Sequence, residues 1–511
     1  MSTDQSSHIF KSVSLIMVFT VVFKILGFCR EFLLSYYWGT SGVSDAFLIS
    51  QTIPGTLFQF VGAGLTTCFI PVYYAIRKND GIGSANIFTN KLTTLILLFS
   101  TVLIIFVWID TPLFVKVFAS GFKDETLDLA CSFTRIGILS LYFSTYVFVY
   151  ESFLQAHRVF VPPVSTSVLQ SILVLVSLYL GAVVNIWFLP IGCALSIGIR
   201  VIFMHPYTNK QELKLRLNFH LRDSNLKRFA ILLGPVVIGC AVNDINVIFD
   251  RTIASQVTSG AISALTYGNS LIQLLNGGVV LSITTVFYPY ITEQITEKRY
   301  DEASSMLKQT NSLLLAIFIP ITLLLMLLSR QIVDALFGRG AFGEESVSLT
   351  SDALFYYSIG ICFIALREMI SKYYYATGNT KTPMYNAAIG VVFNIVLNFI
   401  LSRIMGVGGL ALATSISAFV TVFLLVYQAK EKANISACDI VDYIEILKSV
   451  VACVIMVVFL LLGFHLFKES SLLCLLVCFP VSILIYSFAA SLLKMKSYNM
   501  IKDLVMKVIV K

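Results

Sequence analysis

Phe23–Phe47 reads FKILGFCREFLLSYYWGTSGVSDAF and continues the apolar run SVSLIMVFTVV of Ser12–Val22. Together they are long enough to cross a hydrocarbon core of about 30 Å as one helix. Yet Lys24, Arg30 and Glu31 fall inside that helix, and Asp45 opens the next apolar run. An ionised side chain at the bilayer centre costs about 2.5–3.5 kcal/mol on insertion scales, so these groups must face protein or water. Lys24 and Glu31 are nearly two helical turns apart, on almost one face and about 10 Å from each other, with Arg30 about 100° around from Glu31. Gly27 lies between them, where a helix can bend or approach a neighbour closely. Snorkelling of Arg30 and Glu31 to the membrane edge is one reading of this pattern. The other is a cationic, water-filled cavity that receives an anionic group. Ammonium and guanidinium groups bind phosphate oxygens, Arg in bidentate fashion, and a lipid diphosphate head group suits such a site.

The rest of the chain enforces the membrane reading. Of 511 residues, 57% are hydrophobic and 13% charged, about half the charged share of an ordinary soluble domain. Apolar runs of about 20 residues recur along almost the whole length, which predicts an all-α polytopic membrane protein of about 14 transmembrane helices. The short alternating strands of a β-barrel are absent. The first run passes Lys24 without a small-residue cleavage site and is read as a retained helix. The ten cysteines are scattered, without His or acid partners, and predict no structural metal.

The formal net charge of +8 is a topology signal rather than a nucleic-acid footprint. Alternate loops on one side collect Arg77, Lys78, Arg158, Lys298, Arg299, Lys308, Lys381, Lys430 and Lys432, with the segment TNKQELKLRLNFHLRDSNLKR and the tail from Lys494 to Lys511. The other side holds few cations, among them Lys116, Lys123, Arg339 and Lys468. The positive-inside rule then places both termini in the cytoplasm. The organisation expected is an N-terminal lobe over 1–205 and a cytoplasmic linker over 206–228. A C-terminal lobe over 229–429 follows, then a two-helix hairpin with a basic tail over 430–511. Two six-helix lobes around a central cavity are a common transporter plan. The charged linker reads as a short amphipathic surface helix.

Other polar residues lie inside apolar runs. Asp244 and Asp250 fall in GCAVNDINVIFDR, Asn394 and Asn398 share a helix face in NAAIGVVFNIVLNF, and Thr414 begins the next span. Interhelical hydrogen bonding explains such residues, and a small cation held by oxygen ligands explains them as well. Arg367 and Glu368 sit mid-span in ICFIALREMISKYY and are candidates for a gate or cavity lining. No GxxxxGK[ST], HExxH or GxSxG motif is present. With no catalytic constellation, transport is the better reading.

FKILGFCREFLLSYYWGTSGVSDAF resembles the first two helices of the MurJ/MviN family of lipid II flippases. Collinear matches follow in IPGTLFQFVGAGLTTCFIPV, FASGF, LGPVVIGCAVNDIN, FYPYI, LFGRGAF, YYYATGNTKTPMYNAAIGVVFNIVLNF and GVGGLALATSIS. The resemblance implies the multidrug/oligosaccharidyl-lipid/polysaccharide exporter fold, with helices 13 and 14 forming a groove for a lipid tail. It also implies movement of a lipid-linked peptidoglycan precursor between the leaflets of a bacterial cytoplasmic membrane by alternating access. On it, Lys24, Arg30, Glu31 and Asp45 are substrate-binding residues. Asp244, Asn394, Asn398 and Thr414 map onto a sodium site, with Na+ as the coupling ion. Partners would be a polyprenyl-diphosphate-linked glycan, membrane lipids and envelope-synthesis proteins. Phe58, Gln59, Ala63 and Ser270 stand where the family often has charged cavity residues. A flippase for another polyprenyl-linked oligosaccharide therefore fits nearly as well, and a drug/cation antiporter of the same broad fold is the more distant alternative.

Overall fold

A computed structural model describes residues 3–433, 435–464, 471–500 and 502. The expectations for Lys468 and for the basic tail beyond Lys502 lie outside the described residues. Every regular element among the described residues is helical. The chain divides into two compact units, residues 1–263 and 264–511.

In the first unit the helices are α1 (Thr3–Trp38), α2 (Gly42–Gly64), α3 (Ile70–Ile109), α4 (Thr111–Phe118), α5 (Asp124–Gly137), α6 (Ser140–Ala156), α7 (Val161–Val183), α8 (Phe188–Lys210) and α9 (Ser224–Val257). α10 (Ala261–Leu275) begins at its end. The second unit continues with α11 (Leu281–Thr296), α12 (Tyr300–Leu327), α13 (Ser329–Phe337), α14 (Glu344–Ala376), α15 (Lys381–Tyr427), α16 (Ala429–Ala433), α17 (Tyr443–Phe464) and α18 (Ser471–Leu492). Ten helical stretches among the described residues are long and apolar enough to span a membrane, and the bent pair α5–α6 makes an eleventh. Two of these stretches are double. Gly81 (φ 83°) breaks the run from Gly42 to Ile109, and Gly406 (φ 56°) breaks α15. Both adopt the left-handed region that glycine enters without a Cβ penalty. With those breaks and α1 counted, the helices are consistent with the 14 expected spans.

Landmarks of the first unit recur at one constant interval in the second. Asp124 opens α5 as Glu344 opens α14, Ala156 ends α6 as Ala376 ends α14, and Val161 starts α7 as Lys381 starts α15. Arg158 (φ 60°) and Gly378 (φ 79°) make the same left-handed turn between them. The connection is short and reverses the chain, which returns each next helix antiparallel to its predecessor.

The core of the first unit is aromatic. Phe69 stacks on Tyr73 (5.4 Å) and Phe88 (6.1 Å), and Phe153 meets Tyr73 edge-on at 5.6 Å; such pairs add about 0.5–1.5 kcal/mol beyond burial. In the second unit Tyr486 of α18 donates to the Ala316 carbonyl at 2.8 Å, tying the α17–α18 hairpin to α12.

The segment between α8 and α9 is not the amphipathic helix that its charge pattern suggests. Residues 213–223 form no regular secondary structure and are tied to α3 by side-chain hydrogen bonds. Asn86 donates to the Glu212 carbonyl and Asn90 to that of Lys214, both at 3.1 Å. Asn90 and Thr94 accept from the Arg216 and Asn218 amides at 3.3 and 2.9 Å. One helix face, repeating every four residues, thus satisfies every second residue of this segment. Lys91 closes the arrangement on Asp223 at 2.7 Å, and Asp223 also caps α9 through the Asn225 amide at 2.7 Å.

Candidate functional site

α1 is apolar nearly throughout and packs along α7. Its charges are handled as their cost in hydrocarbon demands. Arg30 turns its guanidinium onto Glu31, with Nε and Nη2 donating to Oε1 at 3.1 and 2.5 Å. The two ends differ in exposure: the Arg30 side chain is 47% exposed and that of Glu31 4%. The second oxygen of Glu31, Oε2, is buried with no hydrogen-bond partner among the described residues. Lys24, two turns earlier, is half-buried, and no salt bridge to it is found among the described residues. A cation exposed on one side, a second cation along the helix and an orphaned acceptor form a polar strip that needs water or a ligand beside it.

Asp45 is placed differently from that strip. It is 1% exposed. Its two oxygens accept from the Gly260 and Ser263 amides, both at 2.8 Å. The carboxylate therefore sits on the N-terminus of α10, where orphan amides and the positive end of the helix dipole favour an anion. Gly260 (φ +83°) comes so close to Thr40 that a Cβ there would lie 2.6 Å from the Thr40 carbonyl oxygen. Asp45 makes a structural joint here, bonded to the Gly260 and Ser263 amides rather than to Lys24 or Arg30.

In the second unit Asn394, Asn398 and Thr414 come together. Asn398 donates to Asn394 Oδ1 at 3.0 Å, Asn394 to Thr414 Oγ1 at 3.3 Å, and Thr414 to the Leu410 carbonyl at 3.2 Å. Asp244 lies half-buried on α9 of the first unit. On the same helix Asn246 donates to Asp250 at 3.1 Å, and Arg251 donates to the Ile262 carbonyl at 3.2 Å. Arg367 and Glu368 are half-buried on α14. Glu368 lies 3.9 Å from Lys372, whose ammonium stands 5.5 Å over the Tyr288 ring. No group of three or more His, Cys, Asp or Glu able to hold a metal occurs among the described residues.

The positions that depart from the family pattern have ordinary local roles. Phe58 is buried and stacks on Phe148 at 6.0 Å. Ser270 donates to the Tyr267 carbonyl one turn back at 2.7 Å. Gln59 is exposed.

One buried charge cluster escaped the sequence reading. Arg200 of α8 pairs with Glu151 of α6. It also donates to Gln170 of α7 at 3.2 Å. The signal was a lone acid and a lone cation in separate apolar runs.

Comparison with known proteins places this architecture. The family profile described as "Lipid II flippase MurJ" matches residues 34–491. The chain belongs to the MurJ family of lipid II flippases. Among its MurJ relatives is a "Probable lipid II flippase MurJ" of Rickettsia prowazekii (strain Madrid E), 27% identical over 443 residues, spanning 84% of this chain and 86% of the relative. One of the same name from Buchnera aphidicola subsp. Baizongia pistaciae (strain Bp) is 26% identical, spanning 82% and 83%. A solved structure, "Lipid II flippase MurJ, inward closed conformation", superposes with a TM-score of 0.82 at 26% identity, covering 96% of this chain and 99% of its own. An inward-facing multidrug resistance MATE family transporter of the MOP superfamily matches with a TM-score of 0.64 at 15% identity, covering 81% of this chain and 95% of its own. That likeness is one of fold. As a MurJ-family member the chain is a multi-pass membrane transporter with a lipid-linked glycan as its cargo class.

Proposed function

We propose that this protein carries lipid II, a polyprenyl-diphosphate-linked glycan, from the inner to the outer leaflet of a bacterial cytoplasmic membrane, with Lys24 and Arg30 neutralising the diphosphate. The observation that carries this reading is the state of Arg30. Its side chain is nearly half exposed while its guanidinium is anchored at one edge by buried Glu31, which leaves further N–H donors to take phosphate oxygens in bidentate fashion. Glu31 keeps the cation tolerable when no cargo is bound. Its unpartnered Oε2 offers an acceptor to a hydroxyl or amide of the cargo.

Both termini are cytoplasmic in this reading, following the distribution of Lys and Arg among the loops. Asp45, on the N-terminus of α10, serves as a joint that holds one conformation rather than as a direct contact to the diphosphate. Arg367, Glu368 and Lys372 form a charged turn of α14 suited to a gate. For coupling, Asn394 Oδ1 and Thr414 Oγ1 are neutral oxygen donors of the kind a sodium ion accepts, and Asn398 would have to withdraw its amide first. The membrane potential, worth about 2.3 kcal/mol per charge per 100 mV, is the other driving force available.

The test is replacement of the central cation. Arg30→Ala should abolish growth of a flippase-depleted strain that the native gene rescues, at unchanged membrane abundance. Unimpaired rescue would remove Arg30 from the cargo site. A leaflet-transfer assay with defined cargoes then separates lipid II from other polyprenyl-linked glycans, the second reading favoured by the uncharged Phe58, Gln59, Ala63 and Ser270.

A further inference from the structure

The segment joining α8 to α9 has a face that its packing on α3 does not use. Leu213 is buried, and Leu215 and Leu221 pack against the core of the first unit, yet Leu217 is 62% and Phe219 65% exposed. Around them Lys214, Arg216 and Arg222 are exposed. Of the two acids nearby, Asp223 is already taken by Lys91, and exposed Glu212 is outnumbered by the four cations Lys210, Lys214, Arg216 and Arg222. Just upstream, Lys210 holds its ammonium 5.9 Å over the Tyr207 ring. It lines an open surface cleft of about 440 Å³ together with Ile202, Phe203, Pro206 and Tyr207.

The depth of this face follows from α3. Counting back from Ile109, the 20 residues or so that cross the hydrocarbon core end near Asn90. The hydrogen bonds that Asn90 and Thr94 accept from the Arg216 and Asn218 amides therefore hold these residues at the level where acyl chains give way to head groups. Apolar side chains and cations presented together at that level match an anionic lipid surface, the chains to the acyl region and the ammonium and guanidinium groups to phosphate.

We propose that residues 210–222 form a docking site for anionic phospholipid, with Leu217 and Phe219 entering the leaflet and Lys210, Lys214, Arg216 and Arg222 holding the head groups. The cleft at Ile202–Lys210 takes one acyl chain. The amide stripe on α3 fixes the segment's register, so this lipid contact anchors the rim of the first unit rather than a loose loop. The site is separate from the cargo strip on α1 and requires only that the chain span a membrane.

The test uses the full-length protein carrying Phe219→p-benzoylphenylalanine, reconstituted in bilayers of equal phosphatidylglycerol and phosphatidylcholine. Irradiation should give lipid adducts favouring phosphatidylglycerol by about fivefold or more at low ionic strength. The preference should fall toward unity in 0.5 M NaCl, and also when Lys214→Gln, Arg216→Gln and Arg222→Gln are added. The salt arm needs no further substitution, so it decides even if the neutralised variant misfolds. No lipid adducts, adducts with protein only, or equal labelling of both lipids at low salt would overturn the proposal. Loss of rescue by Arg30→Ala tests the cargo site and leaves this result untouched.

Discussion

The stretch from α5 to α8 in the first unit and that from α14 to the end of α15 in the second repeat the same order of helices but hold them together with different chemistry. In the first, α6, α7 and α8 meet at Glu151, Gln170 and Arg200, a buried ion pair with an amide beside it. In the second, Gly390 occupies the position of Gln170 in the repeat, and Thr421 fills the space its side chain would need, 2.3 Å from where a Cβ would stand. Gly360 likewise lets Ser415 approach to within 2.7 Å of an added Cβ, and Ser415 donates to the Tyr356 carbonyl at 2.6 Å. At this position of the repeat one unit joins its helices with charge and the other with small residues and hydroxyls, as apolar helices in lipid commonly pack. The charged unit is also the one that carries Lys24 and Arg30. Within that unit Glu31 and Glu151 each face a cation, and Asp45 faces a helix terminus.

The comparison breaks most visibly at Arg200. Arg200→Ala leaves the largely buried Glu151 unpaired and should destabilise the protein by about 2–4 kcal/mol, somewhat less than a fully buried charge would cost. Denaturant unfolding in detergent reads this, and adding Glu151→Gln should recover most of the loss. A change under about 1 kcal/mol for the single substitution would mean that water reaches the pair and that it holds nothing together.

A smaller effect sharpens the other side. Gly360→Ala drives a methyl against Ser415 and should cost about 1–3 kcal/mol by overpacking. Its counterpart in the repeat is Ser140, which already carries a side chain, so Ser140→Ala should cost less. Equal losses at the two positions would erase the distinction between a close-packed seam and a roomier one.

The smallest effect concerns Asp223, outside the membrane. Burial pushes its carboxyl up, but the Lys91 ammonium and the Asn225 and Leu226 amides outweigh that and hold it below the ordinary 3.8. A depressed carboxyl stabilises the fold above its unfolded value and loses that contribution as pH falls through the folded one. Docking of residues 212–222 should therefore be constant from pH 8 to 5 and weaken only below about pH 3.8. Asp223→Asn, which removes the charge but keeps a capping side chain, should raise tryptic cleavage at Lys214, Arg216 and Arg222 at neutral pH. It should lower global stability by no more than about 1 kcal/mol. Unchanged cleavage would detach the Lys91–Asp223 pair from the docking of this segment.

Much of this was legible in the sequence because hydrocarbon imposes local rules. Helix-length apolar runs, and charges that interrupt them, need no partner to be noticed, and the Lys24–Gly27–Arg30–Glu31 pattern stands out for that reason. What stayed hidden depends on partners far along the chain. Asp45 reads as a cavity acid until Gly260 and Ser263, 215 and 218 residues away, bring their amides to it. Glu151 and Arg200 each look like an isolated exception, and only the packing of α6 against α8 makes them a pair. KLRLNFHLR reads as part of an amphipathic surface helix, because a lone non-helical segment would leave its backbone unsatisfied. The stripe of Asn86, Asn90 and Thr94 that solves this lies on a helix more than a hundred residues earlier.

The central claim is that the polar strip of α1 meets water from both sides of the membrane during transport, and Gly27 gives direct access to it. Nothing lies within 4 Å of a Cβ added there, so Gly27→Cys, in a background lacking the ten native cysteines, introduces a thiol without a clash. Membrane-impermeant maleimides applied separately to right-side-out and inside-out vesicles should label this thiol from both faces, more slowly when a lipid diphosphate cargo is present. A thiol that no aqueous reagent reaches from either face would contradict the account and return Lys24, Arg30 and Glu31 to the lipid boundary.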